Sequence, residues 1–226
     1  MMDYTDKRVL VVGATGGIGQ AIVSDLTQRG ACVTPLSRSV NNLDITDETS
    51  VAAHMNALDG EFDMVLITTG ALDPMGHKPE KSITHVTADS LTQHFLLNAI
   101  GPALVIKYAI PLLPKNCPSV IAALSARVGS IGDNRLGGWT SYRAAKAALN
   151  QIVHTTAIEL ARTHKHTTCV ALHPGTVVTP LTRAYLGRHP AMPATEAAQN
   201  LLQVLSQLTP KQSGQFYDWA GKDIPW

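Results

Sequence analysis

Arg8-Val9-Leu10-Val11-Val12 runs without a break into Gly13-Ala14-Thr15-Gly16-Gly17-Ile18-Gly19. A continuous apolar run of this length suits a strand buried on both faces, and such strands belong to parallel sheets covered by helices on each side. Ala21, Ile22 and Leu26 then recur at helical spacing until Gly30 stops the helix. The alternation continues along the chain. Strands are expected at Cys32–Leu36, where Pro35 weakens the signal, and at Phe62–Ile67, Ser119–Leu124, Thr168–Leu172 and Gln215–Asp218. Helices are expected at Asp47–Leu58, at Ser90–Leu113 with a kink at Gly101-Pro102, at Ser141–Thr163, and at Thr195–Leu208 with Thr195 as its cap. This pattern predicts an α/β fold, a doubly wound parallel sheet of about seven strands with helices on both faces. The 226 residues fit one such domain, spanning 1–226.

The bulk numbers exclude several classes of partner. Lys and Arg number 18 against 17 Asp and Glu, a net charge of +1, so no general attraction to nucleic acid or anionic membranes is expected. No run of about 18 apolar residues marks a membrane span, and the polar segment Met1–Arg8 does not resemble a signal peptide. The three cysteines, Cys32, Cys117 and Cys169, are far apart and beside apolar stretches. They are expected to be buried free thiols of a cytoplasmic protein. Among nine histidines, His164 and His166 are the closest pair. No third ligand stands near them, and a helix C-terminus favours such residues through its dipole, so no metal is expected.

The glycine turn points to a dinucleotide. Glycines after the first strand let the backbone turn tightly and approach a pyrophosphate, which the following helix N-terminus attracts. The residue that reads the ribose belongs about 20 positions on. Ser37-Arg38-Ser39 stands there, with no acid to accept from a free 2′-hydroxyl. Arg38 and the serines suit a 2′-phosphate instead, which favours NADP(H) over NAD(H). Against this stands Arg38 as a solvated loop charge. Asp44, followed by Ile45, is placed either to accept from an adenine amino group or to cap the helix after Thr46.

Tyr142 and Lys146 are spaced i and i+4, on one face of a helix. A phenol with a pKa near 10 is a poor base at neutral pH, and a neighbouring ammonium lowers it. Such a phenol can give a proton to an alkoxide as hydride arrives, or take it back in reverse. An exposed Tyr/Lys pair is the plainer reading of the spacing alone.

Four blocks in order change the balance: Gly13-x-x-x-Gly17-x-Gly19, Asn98 within Leu97-Asn98-Ala99-Ile100-Gly101-Pro102, Tyr142-x-x-x-Lys146, and Pro174-Gly175-Thr176-Val177-x-Thr179. With them the chain resembles the short-chain dehydrogenase/reductases over essentially its full length. The run from Leu124 to Trp139 and the segment Gly221–Trp226 resemble the C-factor-like branch, near the Sniffer-type carbonyl reductases. The resemblance implies a Rossmann fold with Tyr142 as acid/base, Lys146 tuning it and holding the nicotinamide ribose, and Asn98 anchoring a proton-relay water. It implies a pyrophosphate held at Gly13, Thr15, Gly17, Ile18 and Gly19, and an adenosine end at Ser37, Arg38, Asp44 and Ile45. Thr68, Thr69 and Gly70 would border the cofactor, and Pro174, Gly175, Val177 and Thr179 would line the nicotinamide. A small-molecule carbonyl or alcohol substrate and a homodimer or homotetramer are implied as well.

The chain departs from that pattern in three places. Val12 stands where a Thr usually precedes the first glycine, and Thr68-Thr69-Gly70-Ala71 replaces an Asn-Asn-Ala-Gly block. More consequential is Ser125-Ala126, which puts Ala126 in the slot of the usual catalytic serine. A regular strand would turn Ser125 away from the site, whereas an early strand end would turn it inward. Ser130 would reach back from the loop. Both serines stand as candidates. Arg135 and Trp139 are expected to border the substrate, Asp133-Asn134 to form a turn, His173 to be structural, and Thr182–Met192, with Tyr185, Leu186 and His189, to form a lid. Two other functions compete with a reductase: a weakly catalytic or non-catalytic NADP(H)-binding signalling protein, and a structural partner whose Ile224-Pro225-Trp226 packs on another subunit.

Overall fold

The computed structural model describes residues 4–180, 182 and 191–226. Its strands are β1 (Arg8–Val12), β2 (Cys32–Leu36), β3 (Met64–Ile67), β4 (Ser119–Leu124), β5 (Thr167–His173), β6 (Val177–Val178), β7 (Met192–Pro193) and β8 (Phe216–Asp218). Six of them form one parallel sheet in the order β2-β1-β3-β4-β5-β8, while β6 and β7 pair in a two-residue ladder outside it. Those six are the strands expected from the sequence, one fewer than the approximate count. Pro35 is tolerated because β2 is the sheet edge, where a missing N–H costs no interior ladder bond.

The helices are α1 (Gly17–Gln28), α2 (Arg38–Asn41), α3 (Glu48–Asn56), α4 (Ala88–Phe95), α5 (Gly101–Ala109), α6 (Thr140–Thr163) and α7 (Ala194–Gln207). They cover both faces of the sheet. Leu10, Val12, Val65, Ile67, Ile121, Ala123 and Ala171 pack with Val51, Val105, Leu149 and Val153 of α3, α5 and α6. The alternate residues Val9, Val11, Leu66, Ala122, Val170 and Leu172 pack with Ile22, Leu26, Leu201 and Leu205 of α1 and α7. This division follows from the two-residue period of a strand, and burial on both sides explains why the strands read as unbroken apolar runs.

Several expectations change in detail. Beside the expected kink at Gly101-Pro102 the long helix changes its winding. A π turn over Leu96–Ile100 joins α4 to α5, and Pro102 sits at the start of α5. The full helical stretch Ala88–Leu112 has an apolar 18-residue window of mean hydropathy 1.6, which by length and composition meets the size of a membrane span. Its apolar character has a local cause, since Val105, Ile106 and Ala109 are built into the core. Thr195 does not cap α7. The N-cap is Pro193, and no side chain among the described residues closes that end. Cys169 is buried, but Cys32 and Cys117 are exposed, and all three are free. Ile224 is buried and Trp226 stacks on Phe216 at 5.9 Å, so this tail packs on its own chain. Tyr185, Leu186 and His189 of the expected lid lie outside the described residues.

The chain visits β1 and β2, then crosses back so that β3 lies on the other side of β1. Doubly wound sheets bind ligands at such a reversal, beyond the carboxyl ends of the strands. The Gly13 turn and the Thr68–Gly70 loop leave the sheet side by side there, because Val12 pairs with Ile67.

Candidate active site

α6 presents a buried stripe, Ser141, Tyr142, Ala145, Lys146 and Leu149. Tyr142 and Lys146 are therefore on the inner face of the helix, at 8% and 3% exposure, which removes the reading of a solvated surface pair. Lys146 Nζ donates to the carbonyl of Leu124, the last residue of β4, at 2.9 Å. Asn98, fully buried in the π turn, accepts from Ala71 N and donates to Ala71 O, both at 3.0 Å. Gly70 lies between them: a Cβ there would sit 3.1 Å from Asn98 Oδ1 and 3.3 Å from Lys146 Nζ. Tyr142, Lys146, Asn98 and Gly70 thus converge at the ends of β3 and β4. The π turn belongs to a class of helix irregularity that recurs at functional positions.

Burial governs the electrostatics of the pair. It pushes the Tyr142 phenol up and draws Lys146 down to about 7. Removing a charged form from water explains both directions. A lysine titrating near neutrality can hold or release a proton under ordinary conditions, the property expected of a proton-handling group.

Neither serine candidate is bonded toward Tyr142. Ser125 N still donates to Leu172 O at 2.7 Å, so the strand alternation continues one residue past β4. Its hydroxyl donates to Asn150 Oδ1 at 2.6 Å, two turns along α6 from Tyr142. Ser130 donates to the carbonyl of Pro225 and accepts from Asp133 N at 3.0 Å, tying its loop to the tail. Ala126, half-buried, opens the 3-10 turn Arg127–Gly129.

The glycine turn has the shape of a phosphate cradle. Gly13 adopts φ +93°, and a Cβ on Gly19 would lie 2.2 Å from Gly13 O, so the turn closes only around hydrogen. Gly16 caps α1 with no side chain, and no acidic residue occupies the first helical turn. The amides at Gly17, Ile18 and Gly19 are left without the side-chain acceptor that usually serves a helix N-terminus. Thr69 Oγ1 is buried, in a residue beside Gly13, without a partner among the described residues, whereas Thr68 Oγ1 donates to Val12 O at 2.9 Å. Thr179 faces Gly17, whose Cβ would meet Thr179 Cγ2 at 2.7 Å, and Val177 is buried.

Ser37 caps α2 through Val40 N at 3.3 Å, leaving Arg38 exposed at its first position. Ser39 donates to Thr15 Oγ1 at 3.0 Å, so the arginine loop and the glycine turn are joined. Asp44 is not a helix cap. It accepts from Thr46 N and Thr46 Oγ1, at 2.9 and 2.7 Å, while Asp47 caps α3. Ile45 is buried in the core.

Three residues around the candidate site gave no signal in the sequence. His94, fully buried on α4, meets the Tyr142 ring edge-on at 5.9 Å, and Trp139, already expected near the substrate, does so at 6.2 Å. Glu80 reaches α6 from a distant loop, and Trp219 packs on Gly175.

A buried Tyr/Lys pair beside a glycine cradle on a doubly wound sheet defines a class of nucleotide-linked enzyme, and comparison places the chain within it. A family model described as enoyl-(acyl carrier protein) reductase, adh_short_C2, matches residues 34–215. The 1-hydroxy-2-glutathionyl-2-methyl-3-butene dehydrogenase of Rhodococcus sp. (strain AD45) is 32% identical over 235 residues, covering 96% of this chain and 99% of that one. The C-signal protein of Myxococcus xanthus is 35% identical over 136 residues, 60% of this chain and 78% of that one. A solved short-chain dehydrogenase/reductase of Burkholderia multivorans with bound NADP shares the fold at TM-score 0.81 and 25% identity, covering 98% of this chain and 100% of that one. The chain belongs to the short-chain dehydrogenase/reductase family, and is an oxidoreductase of that family.

Proposed function

We propose that this protein is an NADP(H)-dependent oxidoreductase that moves hydride between nicotinamide and a small-molecule carbonyl or alcohol, with Tyr142 as general acid/base. The observation that carries the proposal is the convergence of Tyr142, Lys146 and Asn98 on the inner side of α6, at the carboxyl ends of β3 and β4. The enzyme works in the cytoplasm as a homodimer or homotetramer.

The residues present fit a dinucleotide. Gly13, Thr15, Gly17, Ile18 and Gly19 would hold the pyrophosphate, with the buried Thr69 hydroxyl, unpartnered among the described residues, beside them. Ser37, Arg38, Asp44 and Ile45 would hold the adenosine end, and Thr68, Gly70, Pro174, Gly175, Val177 and Thr179 would border the nicotinamide end. When bound, the nicotinamide supplies hydride to a carbonyl carbon or accepts it from an alcohol. Tyr142 gives its proton to the substrate oxygen as negative charge grows there, or takes it in the oxidative direction. Lys146, drawn down to about 7 by burial, can return a proton to Tyr142, and would hold the nicotinamide ribose. Asn98 holds the Ala71 backbone and orders a water between Lys146 and solvent. Ser125 and Ser130 are both bonded elsewhere, so the substrate oxygen relies chiefly on Tyr142.

The purified protein mixed with NADPH and a panel of aldehydes, ketones and quinones should oxidise the cofactor with at least one of them. A signalling reading is favoured by Ala126 in the serine slot and by the C-signal relative. It requires tight NADPH binding, no turnover across the panel, and no change in Tyr142→Phe. The cofactor choice has its own test. Arg38→Asp should weaken NADPH binding at least tenfold and leave NADH binding within about twofold, because only the former loses a charge-assisted partner for its 2′-phosphate. Equal losses in a titration of both cofactors would assign Arg38 to the solvated surface.

A further inference from the structure

The helix that carries Tyr142 begins without a cap of its own. Trp139 occupies the N-cap position of α6 in the left-handed conformation, φ 56° and ψ 35°, and no side chain of its own turn closes that end. A bulky residue persists there only where its surroundings hold it. The first N–H groups of a helix also need acceptors from outside. Glu80 provides both services from a loop 61 residues before Ser141.

Its backbone carbonyl accepts from Trp139 N at 2.5 Å, fixing the left-handed residue. One carboxylate oxygen accepts from Ser141 N at 3.1 Å. The other accepts from Ser141 Oγ and, at 2.8 Å, from Ser90 Oγ. Glu80, Ser90 and Ser141 are 7%, 5% and 0% exposed. Burial pushes the carboxyl up, and the bonds from Ser141 and Ser90 outweigh it, leaving the group at about 2. A negative charge at a helix N-terminus is further favoured by the macrodipole. The same segment governs the two rings around Tyr142. His94 Nε2 lies 3.1 Å from the carbonyl of His77, and Trp139 is held through Glu80 O.

We infer that Glu80 is a positioning residue for the reaction: by capping α6 from across the fold, it fixes the turn that carries Tyr142 and, through Trp139 N, the backbone of the Trp139 whose ring meets Tyr142. The inference rests on Tyr142 acting as the acid/base. A displacement of about 1 Å at a reacting group can cost about 10²-fold in rate, so a carboxylate that never touches substrate has leverage on turnover.

Glu80→Gln is the discriminating variant, because it keeps shape and volume but sets an amide N–H against donors. It should lower kcat at least tenfold, leave KM for NADPH within about twofold, and raise amide hydrogen exchange in residues 139–146 while the sheet strands keep wild-type protection. Ser141→Ala, which leaves the backbone bonds in place, should show a smaller loss of the same kind. The acid behaviour adds a signature. A carboxyl lowered from 4.5 to about 2 contributes stability that is complete above pH 4.5 and is lost as pH falls through 2, and Glu80→Gln should lack this component. Unchanged exchange at 139–146, unchanged kcat, or a kcat loss matched by lost protection throughout the sheet would overturn the inference. Activity surviving unchanged in Tyr142→Phe would remove the acid/base reading instead, and the exchange measurement registers that failure separately.

Discussion

Tyr142→Phe is expected to lower kcat by about 10²–10⁴-fold, the usual contribution of a positioned acid or base, while NADPH affinity stays within a few-fold. The hydroxyl is the only group removed. The ring remains buried and edge-on to His94 and Trp139, so the fold loses no packing. The phenol also makes a demanding acid for this role, because burial pushes its pKa up rather than down. That direction suits carbonyl reduction, in which the phenol starts protonated and gives its proton to an alkoxide. Oxidation requires the phenolate and should therefore gain rate as pH rises above neutrality. A variant with wild-type kcat on a substrate of the native enzyme would take Tyr142 out of the chemistry.

Ala126→Ser is expected to raise kcat by about tenfold or more. One preorganised donor to a developing oxyanion is commonly worth about 10²–10³-fold, and Ser125 and Ser130 spend their hydroxyls on Asn150 and Pro225. The site accepts the change. Ala126 has φ −145° and ψ 142° at the N-cap of a 3-10 turn, a conformation and position that favour serine, and it is only half-buried. Unchanged turnover by a folded Ala126→Ser would mean that position 126 does not face the substrate oxygen. A fall in turnover would point to a substrate shaped for the alanine.

The strands were legible because burial on both faces removes polar residues from them, whereas the sheet order was not, because nothing in a strand's own residues says which neighbour it pairs with. The Tyr142/Lys146 spacing was legible too, but not its burial, since two polar side chains four residues apart look the same on either face of a helix. The direction of Ser125 turned on whether pairing with β5 continued for one more residue, and Leu172 O decides that. Asn98 sits in a π turn, and one extra residue per turn leaves no compositional mark. Asp44 and Asp47 compete for the same cap within three residues, and the structure gives it to Asp47. Glu80 was invisible for a different reason. It lies in a loop without periodicity, and its bonds reach α6 across a sequence separation of 61 residues. Its role exists only in the folded arrangement.

In the proposed reaction, hydride passes between nicotinamide and a carbonyl carbon in a site proton-linked through Tyr142. NADPH carrying deuterium at the transferable position of its nicotinamide tests it directly. With a carbonyl that the protein turns over, mass spectrometry of the alcohol should find one deuterium bound to carbon, formed at a rate reduced at least about a hundredfold in Tyr142→Phe. An alcohol that forms without deuterium, or a labelled alcohol formed equally fast by Tyr142→Phe, would contradict it.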